Sequence, residues 1–399
     1  MRHRTASISS LFVAIGLAMT QPLALAENPR FETSPIFAPE KKHNHASCVV
    51  ELANGDVFAV WYNGTGERSA DDVVIQGARL KKGKTAWEPR FIVADTPGYP
   101  DCNPALFAAP DKTVWLVWPT IIDHRWEGAL LKYAVVKDES GLVDPPVWSR
   151  EGVMHITPKG FEKDMEKALA ALKATGVDLK PYKSDLDAVE VHSKDLLYQR
   201  LGWMPRVHPT VLPSGRWVWP LYCDTFSASI MAISDDQGKS WKTSGPIIGF
   251  GAIQPSVVRK DDGTLVAFMR ENGPTRQIRL SESKDQGETW SAVTSSPLPN
   301  PGAGIETIRL ADGHWALIYN DLKKGRHSLA VSISEDEGKS WKWTRHLESH
   351  GVGQGSYHYP SIIQASDGSM LVTYTHGGLP VGSKIQFARF NQAWVMQGD

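Results

Sequence analysis

The chain has 399 residues, enough for one large domain or two ordinary ones. A formal net charge of −1 with no long run of like charge argues against a nucleic-acid or anionic-membrane partner. Cys48, Cys102 and Cys223 are too few and too scattered for a disulfide framework, and no Cys-x-x-Cys or His-Glu-x-x-His spacing marks a zinc site.

Arg2 and Arg4 precede an apolar run from Leu11 to Met19, which closes on Ala24-Leu25-Ala26 before Glu27. A basic start, a short apolar core and an Ala-x-Ala site predict a secretory signal peptide over 1–26. No stretch reaches the ~18 apolar residues that a membrane span needs. The mature chain, 27–399, is therefore expected in the periplasm or outside the cell.

Further along, the pattern changes between about 137 and 202. "FEKDMEKALAALKATG" puts Phe161, Met165, Leu169 and Leu172 on one helical face. "SDLDAVEVHSKDLLYQRLG" predicts a second helix, opened by Ser184 or Asp185 as N-cap. This is a small helical insertion, which either walls a binding site or decorates one side of the molecule.

The remainder is rich in strand signals and repeats itself. "SDDQGKSW", "SKDQGETW" and "SEDEGKSW" begin at 234, 283 and 334, spacings of 49 and 51 residues. "TLVAFMR" (264–270), "HWALIYN" (314–320) and "SMLVTYT" (369–375) each follow an Asp-Gly turn, and "SLAVSIS" (328–334) runs into the third repeat. A unit of this size built of short strands predicts propeller blades. Within the repeated phrase Asp can accept backbone N–H groups of its own turn, Gly supplies a positive φ and Trp packs between strands. That is architecture, a stapled hairpin, rather than a calcium or sugar site.

The phrase resembles the Asp box, or BNR repeat, of the sialidase (neuraminidase) superfamily. The resemblance extends from about His43 to Asn391 through "HASCVVELANGDVFAVWYNGTGE", "DCNPALF", "IQPSVVRKDDGTLVAFMR", "LPNPGAGIETIRL" and "YHYPSIIQASDG". It implies an all-β fold, a six-bladed β-propeller with the helical insertion between blades. Some 300 residues outside the insertion make about six units near 50.

The resemblance also implies a site: arginines that clamp a sugar carboxylate, a Tyr nucleophile with an activating Glu, and an Asp acid/base. Arg270 and Arg326 match the second and third clamp positions, and Tyr359 matches the nucleophile, with Tyr357 two residues earlier expected on the same face. Asp71 and Asp72 lie near the acid/base position, Asp71 slightly preferred. Two positions depart from the pattern. His45 stands where the first clamp arginine belongs, and Gln254 stands where the activating Glu belongs. Arg206 and His208, in "GWMPRVHP", alternate onto one face after the insertion. Glu67, Glu306 and His358 are further polar groups near predicted strand ends, where salt bridges and core hydrogen bonds are the plainer role.

Three classes of function fit these residues. The first is an exported exo-acting glycoside hydrolase releasing a terminal acidic sugar, sialic acid being the family default. The second is a polysaccharide lyase, with His45, His208, Tyr359 and Arg206 serving β-elimination at a uronic acid. The third is a non-catalytic glycan-binding propeller. None calls for a cofactor or catalytic metal, although a structural calcium is compatible with the fold. The expected partner is a glycan carrying an acidic sugar.

Overall fold

Six antiparallel sheets succeed one another along the chain in the computed structural model, which describes residues 28–399. The expected signal peptide lies outside the described residues. The inner strands of the six blades are His43–Glu51, Ala105–Ala108, the interrupted pair Met204–Pro205 and Thr210–Val211, Ala252–Arg259, Glu306–Arg309 and Ser356–Gln364. The protein is a six-bladed β-propeller. Its ring is latched by the N-terminal strand Phe31–Pro35, which pairs with Gly382–Phe390 as the outer strand of blade 6, Phe31 opposite Phe390.

Near-continuous apolar runs make the central strands, such as Val57–Gly64 and Val114–Ile121, because each blade buries both faces against its neighbours. Trp61, Trp115, Trp217, Trp219 and Trp315 are fully buried between blades, so they pack the core. Trp115 meets Trp217 edge-on at 5.5 Å. The repeated phrase staples the hairpins at one end of the propeller. Asp236 accepts from the Ser240 amide at 2.9 Å and its hydroxyl at 2.6 Å, and Ser234 Oγ accepts from the Gly238 amide. Asp285 and Asp336 repeat the same bonds with Thr289 and Ser340. These bonds lead the causes that hold the Asp236 and Asp336 carboxyls down at about 2. Gly238 has φ +76°, and a Cβ there would sit 2.4 Å from the Trp115 ring.

The axis is closed by one layer of side chains. Cys48, Ala105, Ser256, Glu306 and Ser361 occupy one level of their inner strands, opposite Val60, Val117, Phe268, Ile318 and Thr373 of the second strands. Four of these side chains stitch their blade to the next. Cys48 Sγ accepts from Leu106 N, Ser256 Oγ from Thr307 N, Glu306 Oε2 from Ile362 N, and Ser361 Oγ from Val49 N. The last of these joins blade 6 back to blade 1.

In blade 3 the inner strand is broken, and His208 stands in the gap. Its Nδ1 lies 2.6 Å from Glu306 Oε1 and its Nε2 2.9 Å from the Val49 carbonyl. Both partners are acceptors, so both ring nitrogens carry protons and the buried ring is an imidazolium. Burial opposes that charge, but Cys48 and Glu306 raise His208 well above its ordinary value. Burial likewise opposes the charge on Glu306, yet His208 holds its carboxyl below the ordinary value.

The helical segment is narrower than the sequence pattern suggested. Residues Arg150–Val153 pair with Ala129–Val136 as the outer strand of blade 2. Helix α1 (Phe161–Ala174) buries Phe161, Met165 and Leu172, with Leu169 partly buried against the same cluster. The expected second helix is two, α2 (Lys183–His192) and α3 (Leu196–Arg200), because Asp195 caps a new start through the Leu197 amide. Neither Ser184 nor Asp185 caps α2, whose N-cap position is Tyr182. Phe161 packs on Phe226 and Tyr182 on Phe250. Both partners lie in loops at the end where the inner strands begin, opposite the Asp boxes. Among the described residues no helix is long and apolar enough to cross a membrane.

Candidate functional site

At the end where the inner strands begin, four of them carry a residue with positive φ: Ala46 (54°), Asn103 (41°), Gln254 (54°) and Tyr359 (47°). Register shifts mark a bulge at three of these places, between His45 and Cys48, Ile253 and Ser256, and His358 and Ser361. Asn103, Gln254 and Tyr359 each precede a proline, which further disfavours that conformation. Strain of order 1–3 kcal/mol per residue, held by the surrounding sheets, turns these side chains into the mouth of the axis.

Tyr359 is the centre of what they form. Its hydroxyl lies 3.0 Å from Arg270 Nη1 and 3.2 Å from Gln254 Nε2, and Arg270 Nη1 also donates to Gln254 Oε1 at 3.1 Å. The guanidinium of Arg206 lies 4.8 Å from the Tyr359 ring centre, and those of Arg270 and Arg326 lie 5.9 Å away. Gly304 lets the ring in, since a Cβ there would stand 2.7 Å from Tyr359 Cδ1. Arg206 is buried, with Nη2 donating to the Pro360 carbonyl at 2.9 Å. Among the described residues none of the three arginines forms an ion pair with a carboxylate.

Histidines complete the wall. The His45 ring lies 4.5 Å from that of Tyr359 and 5.3 Å from that of His358. His358 Nδ1 accepts from Arg326 Nη1 at 2.7 Å, which leaves Nε2 to donate to Ser356 Oγ at 2.6 Å. Burial, with Arg326 and His43 adding to it, drives His358 down to about 3. Burial first, and then the nearby His358, His43, Arg326 and Arg206, also hold His45 well below its ordinary value. Both rings are therefore neutral at ordinary pH. An arginine-rich floor with neutral imidazole walls accepts a carboxylate and repels cations.

The carboxylates stand around the rim. Tyr62 donates to Glu67 Oε1 at 2.5 Å. Asp71 is exposed and meets His124 Nε2 at 2.6 Å, while Asp72 accepts from the Thr65 amide and hydroxyl within its own loop. Asp224 follows the second strand of blade 3. Burial pushes its carboxyl up to about 6, with Arg270 pulling it down and Glu127 pushing it up. Among the described residues no group of three or more His, Cys, Asp and Glu side chains is placed to hold a metal.

The model of the BNR repeat-like domain matches residues 201–372, from the end of the insertion into the second strand of blade 6. A sialidase of Bacteroides fragilis is 30% identical over 125 residues, 29% of this chain and 22% of that protein. A xyloglucanase of a Paenibacillus species is 27% identical over 174 residues, 36% of this chain and 15% of that protein. The matched regions thus span less than a quarter of the length of these curated relatives. The NanB sialidase of Streptococcus pneumoniae superposes with a TM-score of 0.66 at 12% identity, over 94% of this chain and 72% of that one.

Residues 201–372 are BNR repeat-like, and the chain as a whole has the propeller fold of that sialidase. Within this propeller, Tyr359, Arg206, Arg270, Arg326, Gln254 and His45 come together at one mouth. Tyr357 stands apart from them. The bulge at Tyr359 breaks the alternation, and Tyr357 is buried in the seam of blades 5 and 6, its hydroxyl 2.7 Å from His350 Nδ1. His208 shares the axis with Arg206 but lies one layer deeper, its ring nitrogens both engaged in the plug. A cavity of about 590 Å³ opens at the far end beneath that plug, lined by His208, Val257 and Arg309, and includes none of the mouth residues. Asp224 was missed by sequence reasoning, though "LYCDTF" puts it just past a strand end. The phrase X-Pro-Ser/Ala at 103, 254 and 359 was a second unread signal.

Proposed function

We propose that this propeller is an exported, exo-acting glycoside hydrolase that releases a terminal acidic sugar, with sialic acid as the default of its superfamily. The observation that carries the proposal is the convergence of Arg206, Arg270 and Arg326 on Tyr359, with no carboxylate among the described residues paired to any of them. Cations left unpaired at the base of a cleft suit an anionic ligand, and the planar forks of Arg270 and Arg326 match a carboxylate in shape.

In this reading Arg270 and Arg326 orient the sugar's carboxylate, and Tyr359 Oη attacks the anomeric carbon. Arg206 supports the ring from beneath. Asp71 or Asp72 serves the leaving-group oxygen. Gln254 and Arg270 both donate to Tyr359 Oη, so its own proton is directed to the open mouth, toward substrate or water.

One observation favours a second reading, β-elimination by a lyase. The neutral ring of His45 lies 4.5 Å from that of Tyr359, and Gln254 supplies no base of the hydrolytic kind. Such a pair could remove and return protons at a uronic acid whose carboxylate the arginines hold. His208 takes no part, being locked beneath.

Incubation with sialyl-lactose and a panel of uronic-acid oligosaccharides tests both. Release of a free acidic monosaccharide supports the hydrolase. Ultraviolet absorbance from an unsaturated uronate supports the lyase. Neither product from any substrate removes the catalytic readings and leaves a glycan-binding propeller.

A further inference from the structure

Beside the mouth, the loop of blade 2 that follows Val114–Ile121 faces helix α3 across a cavity of about 190 Å³. Its apolar side is Ile122, Leu197, Tyr198 and Leu201, and its polar side includes Arg125 and Glu127. Ile122 is 45% and Leu197 60% exposed, unusual for large apolar side chains set side by side. Arg125 is fixed by two bonds to Asp123 Oδ2, from Nε at 2.9 Å and Nη2 at 2.5 Å.

Two links tie this cavity to the candidate site. His124, within the loop, holds Asp71 at 2.6 Å. Glu127 acts electrostatically on Asp224, and its carbonyl lies near Gly202, where a Cβ would also meet Cys223 and Thr225. The cavity therefore lies next to the carboxylates that rim the mouth, away from the arginine floor.

We infer that this cavity is the subsite for the leaving group, taking a neutral sugar ring of the glycan to which the acidic sugar is attached. The inference rests on the hydrolase reading, in which an acid on the rim protonates the glycosidic oxygen. The next ring must then lie just beyond that acid. A hexose ring has an apolar face and an edge of hydroxyls, and the cavity has an apolar floor from Leu197 and Tyr198 with Arg125 and Glu127 at its polar edge. The helical insertion thus contributes specificity for what is left behind.

The test uses the whole chain and needs no turnover. Binding of lactose and a panel of neutral di- and trisaccharides is measured by saturation-transfer NMR and calorimetry for the wild type, Leu197→Asp and Leu196→Asp. Leu196 is 48% exposed on the same helix but outside the cavity lining, so it controls for a general effect on α3. At least one saccharide should bind the wild type, with Leu197→Asp weakening it about tenfold or more and Leu196→Asp less than twofold. No binding to the wild type, or equal binding by Leu197→Asp, overturns the inference. Saccharide binding without release of any acidic sugar would instead sink the hydrolase reading.

Discussion

Gln254 and Tyr359 sit in different blades, 105 residues apart, yet the amide nitrogen of one is 3.2 Å from the hydroxyl of the other. Arg270 can only donate, and its bond to Gln254 Oε1 fixes which way the amide points. The hydroxyl is thereby held between two donors. A carboxylate in place of the amide would turn one of them into an acceptor.

Gln254→Glu is therefore expected to raise the rate of acidic-sugar release, by about 10²–10⁴ if it supplies general-base assistance. Tyr359→Phe should abolish release in both backgrounds. Initial rates on sialyl-lactose at matched enzyme concentration measure this. A Gln254→Glu variant no faster than wild type would show that Tyr359 does not act as a nucleophile of that kind.

Arg326 donates to His358 and to the Gly302 carbonyl, which aims its fork without neutralising it. Arg326→Met should keep the length of the side chain and remove the charge. A charge-assisted bond contributes about 1.5–3 kcal/mol, so binding of a free acidic monosaccharide should weaken roughly ten- to a hundredfold. Calorimetry with sialic acid and with a neutral hexose separates the two contributions. Equal loss for both ligands would mean that the variant has disturbed the fold.

The buried His208–Glu306 pair makes stability depend on pH. His208 is raised above its ordinary 6.5, so its contribution is complete below that pH and declines as the pH rises through its folded value. Glu306 is lowered below its ordinary 4.5, so its contribution is complete above that pH and is lost as acid protonates it. Between about 4.5 and 6.5 both contributions are complete. His208→Ala should cost about 3–5 kcal/mol, because it strands a buried carboxylate, and the double variant with Glu306→Leu should recover part of that. Urea unfolding within this pH range and on both sides of it is the measurement; a His208→Ala variant as stable as wild type would refute the account.

Local signals made the fold legible, whereas the site depends on closure. Three Asp boxes at blade spacing and strands such as "SLAVSIS" need only neighbouring residues, and that strand runs over Ser328–Ser334. The meeting of Arg206, Gln254, Arg270, Arg326 and Tyr359 needs four blades to close, and no spacing in the sequence encodes it. Alternation failed at "YHYPS" because the bulge at Tyr359 shifts the register, sending Tyr357 into the blade seam. The second helix broke in two because Asp195 offers the backbone a cap in mid-run. Asp224 escaped notice because its character comes from burial beside Arg270 and not from any motif.

Asp224 leads to the sharpest test of proton transfer. Its carboxyl, pushed up to about 6 chiefly by burial, is protonated on the acid side of that value and can then donate to a leaving oxygen. If it is the donor, kcat/KM for sialyl-lactose should fall as the pH rises above about 6, and Asp224→Asn should remove that limb along with most activity. Asp71, exposed and bonded to His124, is the rival from the resemblance, and Asp71→Asn should then leave the limb in place. A fluoride leaving group needs little protonation, so a glycosyl fluoride should rescue Asp224→Asn. A limb near pH 6 that survives Asp224→Asn but disappears in Asp71→Asn would hand the donor's role to blade 1.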